Sequence, residues 1–152
     1  MTSNVKVAAV HKDEVAIYWP LVRKYFESII ERRPEYSTIE GVYDRFLSGS
    51  YIMLIVTKDS DIKMAMAAEI VTCDTGNKVL MIPHLGGDGM KDWLQEVVEA
   101  LYTLADDLGC FKTMISGARE GWAKVMKQHG GKVSHVVIEF DTEQYMRGKD
   151  HG

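Results

Sequence analysis

Hydrophobic residues recur along the chain with two spacings, and each spacing predicts one kind of element. Apolar residues that alternate, or that form short uninterrupted runs, predict six strands: "VKVAAV", residues 51–57, residues 62–72, residues 78–83, "CFKTMIS" and "KVSHVVIEF". Apolar residues spaced by about 3.6 positions predict four helices: one from Asp13 up to "RRPEY", one after Ser37 or Thr38, one from about Met90 to Leu108, and "REGWAKVMKQH".

The resulting order is β-α-α-β-β-β-α-β-α-β, which predicts an α/β (α+β) single domain: a mixed sheet with helices on both faces. Turn residues in "KDSD" and "CDTGN" predict two successive hairpins among the three central strands. Pro20 lies inside the first helical pattern, so this helix either starts late, with proline in its first turn, or kinks at that residue. The sequence after residue 142 is polar and predicts a frayed tail, residues 143–152.

Composition excludes several functional classes. The 152 residues are 46% hydrophobic and 26% charged, the balance of a soluble globular protein. The net charge of −4 argues against a nucleic-acid surface. The apolar run "YIMLIVT" is too short to span a membrane, and the N-terminal residues have no signal-peptide pattern. Cys73 and Cys110 have no metal-binding or redox spacing, so they are either free thiols or one disulfide.

The stretch "PHLGGDGMKDW", residues 83–93, carries the clearest chemical signal. Glycines between a strand and a helix allow a diphosphate to approach the backbone, and a helix start presents unpaired N–H groups. Lys91 adds a positive charge, whereas the carboxylate of Asp88 opposes an anion. The spacing fits neither the dinucleotide-binding motif nor the P-loop. Two interpretations stay open from the residues alone: a structural turn or an anion site.

The order of elements and this glycine stretch resemble the GCN5-related N-acetyltransferases (GNAT), whose acyl-CoA loop reads [Gln/Arg]-x-x-Gly-x-[Gly/Ala]. "HLGGDG" places His84, Gly87 and Gly89 on the motif, with histidine in place of Gln or Arg. The resemblance implies a GNAT-like domain over residues 1–142 that binds acetyl-CoA or CoA. Its implied cofactor-binding residues are Leu85, Gly86, Gly87, Asp88, Gly89, Met90 and Lys91.

A narrower resemblance is to small GNAT-like proteins of tailed phages, in which the loop reads "GG..MR.W" and a later motif reads "GR.GW". Here Arg119, Gly121 and Trp122 match the second motif, with Ala118 inserted after Gly117. The resemblance implies a protein of the host cytoplasm or, alternatively, one associated with the virion.

Acetyl transfer needs a proton acceptor for the amine and a proton donor for the departing thiolate. In many GNAT enzymes a tyrosine of the fourth helix is the donor, but Met126 stands at that position, and a thioether donates no proton. Glu69, a carboxylate in an apolar strand, and His84 are the candidate catalytic residues. Arg119 is a candidate for binding an acidic group of the substrate or the cofactor's phosphates, or it forms a structural salt bridge. No spacing of metal ligands is found.

Two functions follow as expectations. The first is an acetyl-CoA-dependent N-acetyltransferase-like protein of a phage, with an unidentified amine as acceptor. The second is a GNAT fold without turnover that serves as a virion component or binds a host protein. Trp93 and Trp122 are expected in the core or a subunit contact, and the open edge of the last strand allows a homo-oligomer.

Overall fold

The structure is a computed structural model that describes residues 4–87, 94–116 and 120–150, without the side chains of residues 120, 121 and 150. The strands are β1 (Val5–Val10), β2 (Ile52–Lys58), β3 (Asp61–Thr72), β4 (Lys78–Gly87) and β5 (Cys110–Ile115). The helices are α1 (Val15–Arg32), α2 (Ile39–Ser48), α3 (Leu94–Asp107), α4 (Glu120–Lys127) and α5 (Thr142–Asp150).

The strands form one sheet in the order β1-β2-β3-β4-β5, antiparallel from β1 to β4 and parallel between β4 and β5. The predicted fold class, a mixed sheet in a single α+β domain, is therefore confirmed. Both predicted hairpins are present. The β2–β3 turn consists of Asp59 and Ser60, both with positive φ (52° and 71°), as a type I′ hairpin turn requires.

Helices cover both faces of the sheet and create two cores. We call the face under α1 and α2 the aromatic face, because Trp19, Phe26 and Phe46 pack there. We call the face under α3 the aliphatic face, because its buried residues are Leu, Val, Ile, Met and Ala together with Cys110. Alternation of side chains along each strand supplies both cores at once.

Helix α1 begins at Val15 and continues through Pro20, so the proline is beyond the first turn. Thr38 caps the start of helix α2, and its hydroxyl accepts the Gly41 N–H at 3.0 Å. It ends at Gly49, which has a φ of 83° that glycine adopts without strain. These boundaries place the last turn of α2 beside the start of β2, where the Tyr51 N–H donates to the Arg45 carbonyl at 3.0 Å.

Two irregularities in the central strands decide which side chains share a face. Along β3, Lys63 is an extra residue, because Val56 pairs with Met64 while the next residue, Thr57, pairs with Ile62. Along β4, two residues, Ile82 and Pro83, lie opposite one residue of β3, between the pairs Ala67–His84 and Glu69–Met81. Beyond each bulge, side chains that would otherwise lie on one face of the sheet lie on the other.

The C-terminal part differs from the prediction in two ways. Residues 132–140, predicted as the last strand, have no regular secondary structure and pair with no described strand. A strand needs a partner edge as well as a suitable sequence, and this segment pairs with no edge among the described strands. The tail predicted to fray forms α5, which Asp141 caps by accepting the Gln144 N–H at 2.8 Å.

Candidate functional site

Strand β4 extends beyond the point at which β5 leaves it. The last paired residues are Ile82 of β4 and Ile115 of β5, and the Ser116 N–H donates to the Ile82 carbonyl at 3.1 Å. Residues 83–87 of β4 then continue with β3 on one side and no described strand on the other. Main-chain groups of this part of β4 are therefore open to a ligand on the side that β5 leaves.

The glycines of this stretch belong to the strand, and their lack of a side chain serves the packing of the protein itself. A Cβ on Gly87 would lie 2.7 Å from the Lys63 carbonyl oxygen and 2.8 Å from Cβ of Met64. A Cβ on Gly86 would lie 3.0 Å from the Tyr25 carbonyl oxygen of α1. Both positions thus bring neighbouring backbone close to β4.

The remaining predicted cofactor residues have different positions. The side chain of Leu85 is buried in the aliphatic core, so only its main chain can meet a ligand. Asp88, Gly89, Met90 and Lys91 lie outside the described residues, as does Arg119, the predicted substrate-binding residue. The role of this loop stays a prediction.

The two predicted catalytic residues lie on the same face. His84 pairs with Ala67, whose side chain belongs to the aromatic core, and Glu69 is two residues further along β3. Residues directly opposite in an antiparallel pair share a face. The bulge at residues 82 and 83 is what brings His84 onto the face of Glu69. Their catalytic role stays a prediction.

Tyr51 connects these two residues. Continuing the pairing of Ile52 with Ala68 by one residue places Tyr51 opposite Glu69. The centroids of the Tyr51 and His84 rings are 5.9 Å apart, with the rings edge to face. The guanidinium of Arg45, at the end of α2, lies 5.0 Å from the Tyr51 ring centroid. Arg45, Tyr51, Glu69 and His84 together are the polar cluster of the aromatic face.

Burial gives the titratable groups of the polar cluster unequal proton affinities. Burial, assisted by the positive charge of Arg45, lowers the pKa of His84 below its usual 6.5. The imidazole is therefore neutral at pH 7 and able to accept a proton. Burial also raises the pKa of Tyr51, an effect that Arg45 opposes and Glu69 reinforces, so the phenol keeps its proton. One face thus presents a proton acceptor and a proton donor side by side.

Sequence reasoning missed Tyr51 and Arg45. Tyr51 directly precedes the apolar run of β2, and its place opposite Glu69 follows only from the register that the extra residue Lys63 sets. Arg45 is one of several cations on the first two helices, and nothing in the sequence separates it from the others. Within the described residues, neither Arg45 nor Glu69 forms an ion pair.

Other features of the described residues carry less chemistry. Met126 lies in the last turn of α4, and its carbonyl accepts the Gly131 N–H at 2.9 Å. Trp122 packs against the aliphatic core, and Trp93 is outside the described residues. Both cysteines are free thiols. Residues 4–87, 94–116 and 120–150 contain no group of three potential metal ligands and no helix able to span a membrane.

Comparison of the sequence with known proteins gives one partial match. No family model matches the chain. A stretch of 62 residues is 44% identical to homospermidine synthase of Mesorhizobium japonicum, but it is 40% of this chain and 12% of that enzyme. The chain thus spans a small part of the synthase's length, and the likeness says nothing of the remaining residues.

Solved structures of acetyltransferases match almost the whole chain. An aminoglycoside acetyltransferase from an uncultured soil sample, in complex with sisomicin, matches with a TM-score of 0.65 at 10% identity, over 91% of this chain and 95% of that one. Ribosomal-protein-alanine N-acetyltransferase from Brucella melitensis matches with 0.64 at 16% identity, over 90% and 99%. Aminoglycoside N-acetyltransferase AAC(6′)-Iy, in complex with CoA, matches with 0.60 at 14% identity, over 93% and 97%. The chain therefore has the GNAT fold that its element order predicted.

Proposed function

We propose that the protein is an N-acetyltransferase that takes an acetyl group from acetyl-CoA and delivers it to an amine. The observation that carries the proposal is the open part of β4, residues 83–87, directly beside the polar cluster. The GNAT fold, which it shares with N-acetyltransferases, supports this choice. A fold alone hosts many functions, so the site carries the argument.

The residues of this stretch fit acetyl-CoA as a co-substrate. CoA contains a flexible arm with amide groups, and an amide-bearing chain can pair with an open strand edge in the way a peptide does. Gly86 and Gly87 present main chain without side chains, and "DGMK" after them supplies further amides and Lys91 for the diphosphate. Acetyl-CoA supplies the acetyl group, activated as a thioester.

The polar cluster supplies the proton transfers that amine acetylation needs. Glu69 attracts an ammonium group, and neutral His84 accepts a proton from it at a ring nitrogen, which leaves a nucleophilic amine. Tyr51 keeps its phenolic proton at neutral pH and is a donor on the same face. In this proposal Tyr51 takes the place of the donor that is missing at Met126.

Calorimetric titration with acetyl-CoA and with CoA tests the binding step. We expect micromolar dissociation constants for both. Lys91→Glu is expected to weaken binding by about tenfold or more, because a carboxylate then faces the diphosphate. Lys78→Glu, at the opposite end of β4, makes the same charge change and should leave binding unaltered. The absence of heat at millimolar acetyl-CoA overturns the proposal.

Release of CoA in the presence of candidate amines tests the chemistry. His84→Gln and Tyr51→Phe are expected to lower kcat by about 100-fold or more, because each removes one proton-transfer group. Arg23→Gln, an exposed change on α1, serves as the matched surface control and should retain activity. Unchanged turnover in both site variants contradicts the assigned roles while leaving acetyl-CoA binding intact.

A second candidate follows from Met126, which removes the usual proton donor of the fold. In this candidate the protein binds without turnover, as a virion component or a partner of a host protein of a tailed phage. It predicts a fixed copy number in purified particles and no CoA release with any amine. Phage origin itself stays a prediction from the motifs around residues 84–93 and 117–122.

A further inference from the structure

Residues 132–140 form an apolar segment that the rest of the chain leaves in solvent. The exposed fractions of Val136, Val137, Ile138 and Phe140 are 78%, 82%, 76% and 89%. β-branched and aromatic residues favour strands. Val136, Ile138 and Phe140 alternate, so an extended conformation places all three on one side. A contiguous exposed apolar patch of this kind marks an interaction surface.

Weak contacts hold the end of this segment beside the residues that follow α1. The carboxylate of Glu139 lies 3.3 Å from the Arg33 guanidinium and accepts a hydrogen bond from the Tyr36 hydroxyl, beyond the end of α1. All three residues are exposed, so this arrangement contributes little free energy. The segment is anchored near its start by the hydrogen bond between Gly131 and Met126.

Strand β5 has an open edge. It pairs with β4 on one side, and no described strand pairs on the other. The Ser116 N–H points to β4, and the direction of the N–H groups alternates along a strand. The N–H groups of Thr113 and Ile115 therefore point to the open edge. An unpaired edge of this kind is a template for another strand.

We infer that residues 132–140 of one copy pair with the open edge of β5 in a second copy, and that the exchange is reciprocal. Each copy carries one free segment and one free edge, so two copies related by a two-fold axis satisfy both without leaving either over. The nine residues 132–140 are long enough to cover the six residues of β5. In this pairing the side chains of Val136, Ile138 and Phe140 lie on one face of the extended sheet. The inference is independent of the proposed enzymatic function.

Cross-linking between differently labelled chains tests the pairing directly. In a Cys73→Ser background, chains with Thr113→Cys are mixed with chains carrying Ile138→Cys and treated with a short bismaleimide. Cys110 is buried and serves in the parent chain as the control for background reaction. We expect a covalent heterodimer. A third chain carries both Thr113→Cys and Ile138→Cys. A cross-link that forms only inside this third chain, or no cross-link at all, overturns the inference.

Measurement of molar mass in solution provides the second test. Val136→Lys with Ile138→Lys is expected to weaken the dimer by about 100-fold or more, because two ammonium groups would have to leave water in the interface. The matched control is Ile17→Lys with Leu21→Lys, which makes the same chemical change at exposed positions of α1 and should leave the dimer intact. Circular dichroism verifies that both variants are folded. A monomeric parent protein at high concentration, or equal dissociation of both variants, contradicts the inference.

Discussion

The two faces of the sheet are built from different side chains, and only one face carries the polar cluster. On the aromatic face, the Phe26 and Phe46 ring centroids are 5.3 Å apart, and those of Phe46 and Tyr51 are 5.9 Å apart. This series of rings ends at His84. On the aliphatic face, residues such as Leu80 and Val97 form a core in which no buried titratable group is described apart from Cys110.

The difference shows how one sheet combines stability with chemistry. Aliphatic side chains fill space in well-defined rotamers and have no polar atoms to satisfy. Tyrosine and histidine bury an apolar ring and still present a polar atom at its edge. The aromatic face can therefore end in groups that exchange protons, whereas the aliphatic face fixes the strands that hold them.

Truncation of one large buried side chain on each face should destabilise the protein strongly. Phe46→Ala should lower the free energy of unfolding by about 3–5 kcal/mol, and Leu80→Ala by about 2–5 kcal/mol, since both side chains are fully buried. Urea denaturation measures both. Phe46→Ala alone should also change the near-ultraviolet circular dichroism strongly, because Phe46 packs on Tyr51 and Trp19. An equal spectral change in Leu80→Ala would contradict the confinement of the packed aromatic rings to one face.

Two neighbouring glycines of β4 differ in how closely a side chain would approach the rest of the protein. Gly87→Ala should cost about 1–3 kcal/mol, because a Cβ would overlap the Lys63 carbonyl and Met64. Gly86→Ala should cost less, because its closest neighbours are 3.0 Å and further away and include the flexible end of Ile29. Thermal unfolding ranks the two variants. A Gly87→Ala protein as stable as the parent would show that β4 and β3 are further apart than the structure has them.

The neutral state of His84 predicts a pH dependence of stability. Its pKa is lowered in the folded protein, so below about pH 6.5 the unfolded chain binds a proton that the folded chain does not. Stability should therefore fall as the pH decreases through this value. His84→Gln should remove this contribution, and His135→Gln, in an exposed segment, is the control. A parent and a His84→Gln protein with identical slopes between pH 7 and pH 5.5 would contradict the burial of the imidazole.

Arg45 should have a small effect on the pKa of His84. Its positive charge contributes to the low pKa of His84 after burial, so Arg45→Gln should raise that pKa toward 6.5. Nuclear magnetic resonance of the imidazole during titration measures the midpoint. Arg147→Gln on α5 makes the same charge change at an exposed ion pair and should leave the midpoint where it is. An unchanged midpoint in Arg45→Gln would contradict an effect of the Arg45 charge on His84.

Most of the sheet could be predicted because its strands carry their own pattern. The strands expected at 51–57, 62–72 and 78–83 lie at Ile52–Lys58, Asp61–Thr72 and Lys78–Gly87. Strand β4 is longer than the predicted 78–83, because it continues beyond Pro83 to Gly87. Proline at a bulge needs no ladder donor, and the strand continues past it.

The polar cluster and the last segment could not be predicted from local pattern. The faces of Glu69 and His84 depend on two bulges, which only the pairing of strands reveals. The segment 132–140 has the composition of a strand, yet composition does not supply a partner edge. Local sequence thus determined the elements, and long-range pairing determined which of them meet.

The extra residue in β3 has a consequence for how this protein tolerates changes in length. The β2–β3 turn starts a register in which Lys58 pairs with Asp61, and Lys63 shifts that register by one before the polar cluster is reached. Deletion of Lys63 alone would remove the bulge and leave Met64 opposite Val56, as it is now. Glu69 would then stay opposite Tyr51, on the aromatic face. The hairpin can therefore lose one residue at the bulge without moving the polar cluster, whereas a deletion in a ladder without a bulge reverses the faces of the residues beyond it.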